Sequence, residues 1–525
     1  MGDGNTSTQN IVTGVGQNWA DIYQTNDNNT ATQSATGTYF STLYIEQESS
    51  VGGIGNTAGQ NTSGDDSYLD IGQFGDGNNA SQTNSSEAGT VISYQEGDGN
   101  SSAQSMSGGS NSGPYEYIEQ FGDNNTATQT QTSVGASVNN AEIYQNGDGN
   151  TASQNQVDFN GNVIVDQLGN GNTASQTVDG NGFNFTQVYQ EGDGNSSSQF
   201  ITGDENYTGI DQYGSTNTAN VEITGNRNNQ FGYLDVSQAG DANTASLTIN
   251  GNDNEGLIST VGNNNGSTVG VTGNENKYEI DQQGDGNTAS QIQSDYLGDV
   301  YISQIGSGHT ASQIVNGGMV SPNYLEVYQT GVAGNTSSQS VSGDGNYSGI
   351  SQDGSSNSAN VSINGDMNNA AASLDVMQNG DGNSASLTLS GDMNNGTISS
   401  NGSSDVANVN IAGNENLYTV SQSAGNGNIV NVIQTSGLMN SYTITQMGNG
   451  NNASVNLAGD SNLGTISSTG DLNLVNVDIN GSLNGYSITQ WNGDFNSAEL
   501  TVGSDSNTST VMQNGSNNSS VIIQN

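Results

Sequence analysis

Along Ile444–Leu457, apolar and amide side chains alternate with small polar ones. Ile444 and Gln446 lead into Gly448-Asn-Gly-Asn451, and Ala453, Val455 and Leu457 follow at every second place. Period-two alternation closed by a glycine-containing turn predicts a β-strand and a tight turn. Glycine and β-branched residues are too dense for helix. Asn451, Ala453, Val455 and Leu457 then point inward, and Asn452, Ser454 and Asn456 face water.

The turn mark Gly-x-x-Asn recurs every 11 residues, as in Asn243, Asn254, Asn265, Asn276 and Asn287, and again in Asn440, Asn451, Asn462, Asn473 and Asn484. Successive units differ in kind. After Asn473 the inward set is Val475, Val477 and Ile479; after Asn484 it is Tyr486, Ile488 and Gln490. The full repeat is therefore 22 residues long, with two strands and two turns. The predicted fold class is all-β: a single-chain cross-β solenoid of 11-residue half-repeats. About 24 coils stacked at ~4.8 Å would form a rod on the order of 110 Å long.

One continuous domain is expected over 1–525, with 1–200 less regular and 201–525 regular. Loops are expected near 40–50, 61–70, 82–92, 110–118, 229–233, 295–300, 316–326 and 369–372. Pro114 and Pro322 fall in these insertions, as a hydrogen-bonded ladder requires. Stacking sets like residues over one another, so buried amides can pair from coil to coil. The candidate ladder amides are Gln145, Asn150, Gln282, Asn287, Gln446, Asn451, Asn462, Asn473, Asn484 and Gln490.

Composition narrows what such an object can do. Only 30% of residues are hydrophobic, and 51 acidic residues face two basic ones, Arg227 and Lys277, for a net charge of −49. These figures resemble those of a disordered chain, but disorder gives no reason to hold an 11-residue register. The charge excludes nucleic acid as a partner. No apolar run reaches the ~20 residues of a membrane span, so no membrane insertion is expected. Cysteine is absent, which removes disulfides and thiolate metal sites. The chain opens Met1-Gly2-Asp3-Gly4-Asn5, already in the repeat pattern, and no leader is read there. End coils ending in phase, at Met1–Asn5 and Val521–Asn525, are expected to pair with a neighbouring subunit.

Candidate chemistry is sparse. With one histidine and no nucleophile–base arrangement, the chain is not expected to be an enzyme. His309 stands where other repeats carry the turn asparagine and is read as a substitution in that slot. Asp76, Asp98, Asp148, Asp193, Asp285, Asp344 and Asp381 occupy Gly-Asp-Gly-Asn turns. Two readings stand for them: Ca²⁺ bridging carboxylates of successive coils, or solvated charges that slow premature stacking. No other cofactor is expected. Tyrosine precedes the strand-end glutamine at Tyr23, Tyr94, Tyr144, Tyr189 and Tyr328. There it would stack across strands on the outer face or pack neighbouring solenoids.

The unit from Ile143 to Gln156 resembles the curlin repeat, whose pattern runs Gln-x-Gly-x-Gly-Asn-x-Ala-x-x-x-Gln. Gln145, Gly147, Gly149, Asn150, Ala152 and Gln156 match it, as do Gln282, Gly284, Gly286, Asn287, Ala289 and Gln293. A third copy, Gln120, Gly122, Asn125, Ala127 and Gln131, departs only at Asn124. The resemblance implies a secreted bacterial subunit of extracellular functional-amyloid fibres in biofilm matrix. Its partners would be further copies of itself, a nucleator and a secretion channel. The chain departs from that family in its greater length, its acidity and the lack of a non-repeat N-terminal segment. The alternative reading is a monomeric acidic solenoid spacer or adhesin module, with calcium or ice as ligand.

Overall fold

The computed structural model describes residues 3–12, 16–109, 113–134, 139–157, 160–230, 232, 235–317, 320–370 and 375–525. Contacts group the chain into two compact units, Met1–Asn264 and Asn265–Asn525. Both are β-solenoids, and no helix occurs among the described residues.

In the first unit two kinds of strand alternate. One kind is seen at Thr42–Glu48, Thr90–Glu96, Asn140–Asn146 and Phe185–Glu191. It carries most of the tyrosines and is called here the tyrosine strand. The other, at Thr30–Thr36, Asn79–Asn84, Thr151–Val157 and Ser196–Thr202, is the hydroxyl strand, rich in Ser and Thr. Each kind pairs only with its own, in parallel and in register. Thr151 to Val157 lie over Thr173 to Asp179, and Asn140 to Asn146 over Asn162 to Leu168. Two facing parallel sheets result, one coil contributing a strand to each.

Alternation along each strand fills the gap between the sheets. The hydroxyl strand buries Ala152, Gln154 and Gln156, and the tyrosine strand buries Ala141, Ile143 and Gln145. The second unit has the same plan, with Thr288–Ser294 over Thr310–Asn316 and Lys277–Gln283 over Asp299–Gly306. Asn451, Ala453, Val455 and Leu457 are buried there, while Asn456 is exposed. Large rings are accommodated against glycine. A Cβ on Gly464 would stand 1.7 Å from the Tyr486 ring of the next coil.

The turns explain why the repeat spends so much glycine. In the turn Gly147–Asn150, Gly147 has φ +127° and Gly149 φ +69°. A Cβ on Gly147 would lie 2.0 Å from the carbonyl oxygen of Gly169 in the next coil, whereas Gly149 has nothing within 4 Å. The first glycine is required by stacking; the third position only by its backbone angle. Other turns fill that third place with Asn124, Thr216 or Ala242, all near φ +58°.

The loop expectations need correction. Residues 42–48 form a strand, and Tyr68–Phe74, Thr90–Glu96, Tyr115–Phe121, Asp299–Gly306 and Tyr324–Gly331 begin inside five further segments read as loops. Those strands keep the ordinary inward set, such as Leu43, Ile45 and Gln47. The turn before each departs from Gly-x-x-Asn, and coil spacing ranges from 22 residues at Gln60–Gln82 to 27 at Gln33–Gln60, where 49–56 lengthen the turn after Thr42–Glu48. Pro114 and Pro322 lie just outside strands. The expectations at Met1, Gly2, 110–112, 231, 233, 318–319 and 371–372 lie outside the described residues.

Residues 204–262 recur with the same spacing at 344–402, 33 of 59 positions being identical. Both copies carry a short tyrosine-type strand, Val236–Ala239 and Val376–Asn379. Each is preceded by a buried side-chain pair, Asn229 with Asp235 and Asn369 with Asp375.

Candidate functional site

Four columns of amides run along the stack, and each is positioned by strand alternation or by a turn. At the end of the tyrosine strand, Gln120, Gln145, Gln167 and Gln190 lie over one another. Gln145 Nε2 donates to Gln167 Oε1 at 2.9 Å and to the Thr126 carbonyl at 3.1 Å. The Gln145 Oε1 accepts from Gln120 at 2.8 Å. An amide with two donors thus spends one on the next coil and one on the opposite sheet. That arrangement makes burial of so polar a core affordable, because an unpaired buried amide would cost about 1–3 kcal/mol.

A second glutamine column, in the hydroxyl strand, was not singled out from the repeat pattern. It runs from Gln33 through Gln104, Gln129 and Gln154 to Gln199, with Gln129 donating to Gln154 at 2.9 Å. The signal was present as the Ala-Ser-Gln and Ala-Thr-Gln phrases after each turn.

The turn asparagines form the other two columns, one at each edge. Asn150 takes the Asn125 Oδ1 on its backbone N–H at 2.9 Å and donates its side chain to Gly169 O at 2.7 Å. Asn451 and Asn473 share one edge, with Asn473 N–H on Asn451 Oδ1 at 3.1 Å; Asn462 and Asn484 share the other, at 3.0 Å. Asn287 donates its backbone N–H to Asn265 Oδ1 at 2.9 Å, and Gln282 donates to Gln304 at 2.8 Å. Gln446 accepts from Gln422 at 3.3 Å, but Ser468 follows it, and Ser468 in turn donates to Gln490 at 3.0 Å.

Two titratable residues, His309 and Asp405, stand in asparagine places, and a third, Asp295, intrudes on one. His309 N–H donates to Asn287 Oδ1 at 3.0 Å, and its Nδ1 accepts from Asn335 N–H at 3.3 Å. Burial lowers its pKa below the ordinary histidine value, opposed by the Gly331 and Ile305 carbonyls. Asp405 accepts the Asn428 N–H at 2.9 Å, and burial raises its carboxyl. At the third place glycine and acid are exchanged: Asp295 holds the glycine position after Gly273, and Gly298 holds the asparagine position after Asn276. The Asp295 carboxylate fills the space a Gly298 side chain would take, 2.3 Å from its Cβ position. Burial pushes that carboxyl up to about 6, against the Asn323 and Gln293 amides, which lower it. A cavity of about 490 Å³ lies beside it, lined by Thr272, Asn274 and Tyr296, but both carboxylate oxygens are turned away from solvent.

The turn aspartates do not form one column. Asp76, Asp98 and Asp148 share an edge with Asp123, and Asn170 separates Asp148 from Asp193. In each step one carboxylate oxygen caps a backbone N–H of the preceding coil, as Asp98 Oδ1 does for Asp76 at 2.8 Å. Asp381 does the same for Ser355 at 2.9 Å, and Asp344 takes the acceptor role's other side, donating its N–H to Asp366 at 2.9 Å. The Asp285 carbonyl accepts from Gly308 N–H at 3.0 Å. Among the described residues no group of three or more His, Cys, Asp or Glu is placed to hold a metal ion.

The tyrosines form cross-coil pairs on the outer face: Tyr23 with Tyr44, Tyr94 with Phe121, Tyr144 with Tyr117, Tyr189 with Tyr213 and Tyr328 with Tyr301, at 5.4 to 5.7 Å between centroids.

Residues 273–312 match the family model described as the curlin associated repeat. That stretch is similar to the curlin repeat. The matched stretch holds Gln282, Gly284, Gly286, Asn287, Ala289 and Gln293; of its amides, Gln282 and Asn287 lie in the ladder, while Gln293 stands between Val271 and Val315. It also includes His309, the one curlin turn here in which the asparagine is replaced by an imidazole. No curated protein matches the chain.

Proposed function

We propose that this chain is a structural subunit of an extracellular, curli-like functional-amyloid fibre of bacterial biofilm matrix or cell surface, and that it performs no catalysis. Subunits add by stacking coil on coil. The observation that carries this reading is the in-register ladder: Gln145 presents to Gln167 the same donor that Gln120 presents to Gln145. A coil with this chemistry fits its own neighbours and those of another copy equally well. The partners are thus further copies of the chain, with the nucleator and secretion channel that the curlin resemblance implies. Engagement of one oxygen of Asp98, Asp148, Asp193 and Asp381 as a backbone cap supports the charge-repulsion reading of those turns over a calcium site.

Electron microscopy and fibre diffraction of purified full-length protein test this. Unbranched fibres with an axial reflection near ~4.8 Å are expected. Protein that stays a monomeric rod at millimolar concentration, in acid as in neutral buffer, sinks the fibre reading and favours a spacer module.

A further inference from the structure

The two outer faces of the first unit differ in chemistry. Outward positions of the hydroxyl strands are mostly small and neutral, as in Thr126, Thr128 and Thr130 above Thr151, Ser153 and Asn155, with Asp179, Phe200 and Glu222 as exceptions. Outward positions of the tyrosine strands alternate rings with carboxylates. They do so from coil to coil, in the column Tyr94, Glu119, Tyr144, Asp166, Tyr189, Asp211. They also do so along the strands that carry the tyrosines of this column, where the ring hydroxyl donates to its neighbour: Tyr94 to Glu96 at 3.1 Å, Tyr144 to Glu142 at 3.1 Å, Tyr189 to Glu191 at 3.0 Å. The result is a fixed checkerboard of aromatic faces and carboxylates.

Among the described residues of the first unit, no basic side chain is free to serve this face as counterion. Of the two basic residues, Arg227 is engaged by Asp253 at 2.6 Å and Lys277 belongs to the second unit.

We propose that the tyrosine face of the first unit is a docking surface for an arginine-rich cationic polypeptide segment. A guanidinium can pair with a carboxylate through two hydrogen bonds and lie flat on a neighbouring ring. An extended segment running across the coils meets a ring or a carboxylate at every step of about 4.8 Å. Charge complementarity selects this occupant over a second copy of the same face, which would set carboxylates against carboxylates. Ammonium groups are point charges and gain less from the rings.

Fluorescence anisotropy of labelled deca-arginine and deca-lysine with the full chain tests the proposal, at about 50 and 300 mM salt. Three triple variants are compared: Tyr94→Ser/Tyr117→Ser/Tyr144→Ser, Glu96→Gln/Glu119→Gln/Glu142→Gln, and the charge-matched turn control Asp98→Asn/Asp123→Asn/Asp148→Asn. The control substitution already exists at Asn170. Deca-arginine binding is expected to weaken about tenfold in the first two and less than about threefold in the control. The serine variant is also expected to lose the preference for arginine over lysine, and the matching Tyr→Phe triple to keep it, which separates lost rings from lost folding. Equal loss in the control and the glutamine variant would reduce the effect to general charge and overturn the proposal. So would deca-arginine binding that the serine variant leaves intact. Absence of deca-arginine binding together with Tyr-dependent dimers in sedimentation would assign the face to a second copy.

Discussion

Two stretches of core, alike in backbone, are filled in opposite ways. In the hydroxyl strands of the first unit the central inward place is held by glutamine from Gln33 to Gln199, each amide bonded to the next. In the second unit the same place becomes Val361, Leu387, Val409, Val432, Val455, Val477 and Leu500. The two solutions rest on different physics. An apolar column gains from each side chain separately, by removal of area from water. An amide column gains only as a set, because every member satisfies its neighbours. Interrupting the first changes one side chain, whereas interrupting the second leaves a neighbour without its partner, as at Gln291 Oε1 beside Val269, while the turns that space the coils are shared by both.

The shared turns are where the largest effect is expected. Gly147→Ala in the amide stretch and Gly448→Ala in the apolar stretch would set a Cβ 2.0 and 2.2 Å from the carbonyl oxygens of Gly169 and Gly470. Backbone must move in either case, and both variants should lose more than about 3 kcal/mol in chemical denaturation followed by circular dichroism. Gly149→Ala, in open space at φ +69°, should lose about 1 kcal/mol. A larger loss at position 147 than at 448 would show that the amide stretch sets tighter coil spacing.

Exchange of core chemistry probes the difference itself. Val455→Gln puts a lone amide between Val432 and Val477 and should cost about 2–3 kcal/mol. The same change at Val361 lies against Gln339, the end of a short glutamine run through Gln291 and Gln313. There the new amide has a partner, and a cost nearer 1 kcal/mol is expected. In the reverse direction, Gln129→Leu strips the Gln154 Oε1 of its donor and should cost about 2 kcal/mol despite the added apolar area. Equal losses at 361 and 455 would mean that these amides act singly rather than as a ladder.

Much of this plan was readable from spacing, because strand period, turn glycine and buried face share one register. The inward set Asn451 to Leu457 needed only alternation. Coil order was harder. Up to Asn184 the edge that returns from hydroxyl to tyrosine strand rarely carries the asparagine mark, so strands such as Thr42–Glu48 looked like loop. The Asp295–Gly298 exchange was invisible for a related reason: a side chain reached its slot from the wrong sequence position. Nor does a linear pattern say which turn aspartates share an edge, since that depends on the parity of intervening units. The checkerboard face needs two strands seen side by side.

Amide columns are neutral at every pH, so pH sensitivity should sit where acids replace them or intrude. Asp375 is buried, and burial pushes its carboxyl from 3.8 up to about 8, with Glu326 adding to the rise and Ser348 and Gly349 opposing it. The folded protein then holds a proton that the unfolded chain has released. This contribution is fully present below about pH 4 and is lost as pH rises toward 8, at up to about 1.4 kcal/mol per unit. Denaturation midpoints should fall across that window, and Asp375→Asn should flatten the fall. Glu116, buried in the first unit with its carboxyl also raised by burial, should act with the same sign, and Glu116→Gln should remove its share. An unchanged slope in both variants would place the sensitivity among the surface carboxylates.

The smallest effect is expected at His309, with the opposite sign. Burial lowers its pKa below 6.5, so the unfolded chain takes up a proton before the folded one does. Stability is kept above that value and lost as pH falls below it. The neutral ring keeps the asparagine column connected, since Nδ1 can still accept from Asn335; the protonated ring cannot. His309→Asn should leave neutral stability within about 0.5 kcal/mol of the parent and raise it near pH 5. Denaturation at pH 5 and pH 7.5 reads this directly. If His309→Asn were strongly stabilising at neutral pH as well, the imidazole would be a misfit in the column rather than a pH-dependent link, and the amide edge would depend on side-chain shape as much as on hydrogen bonding.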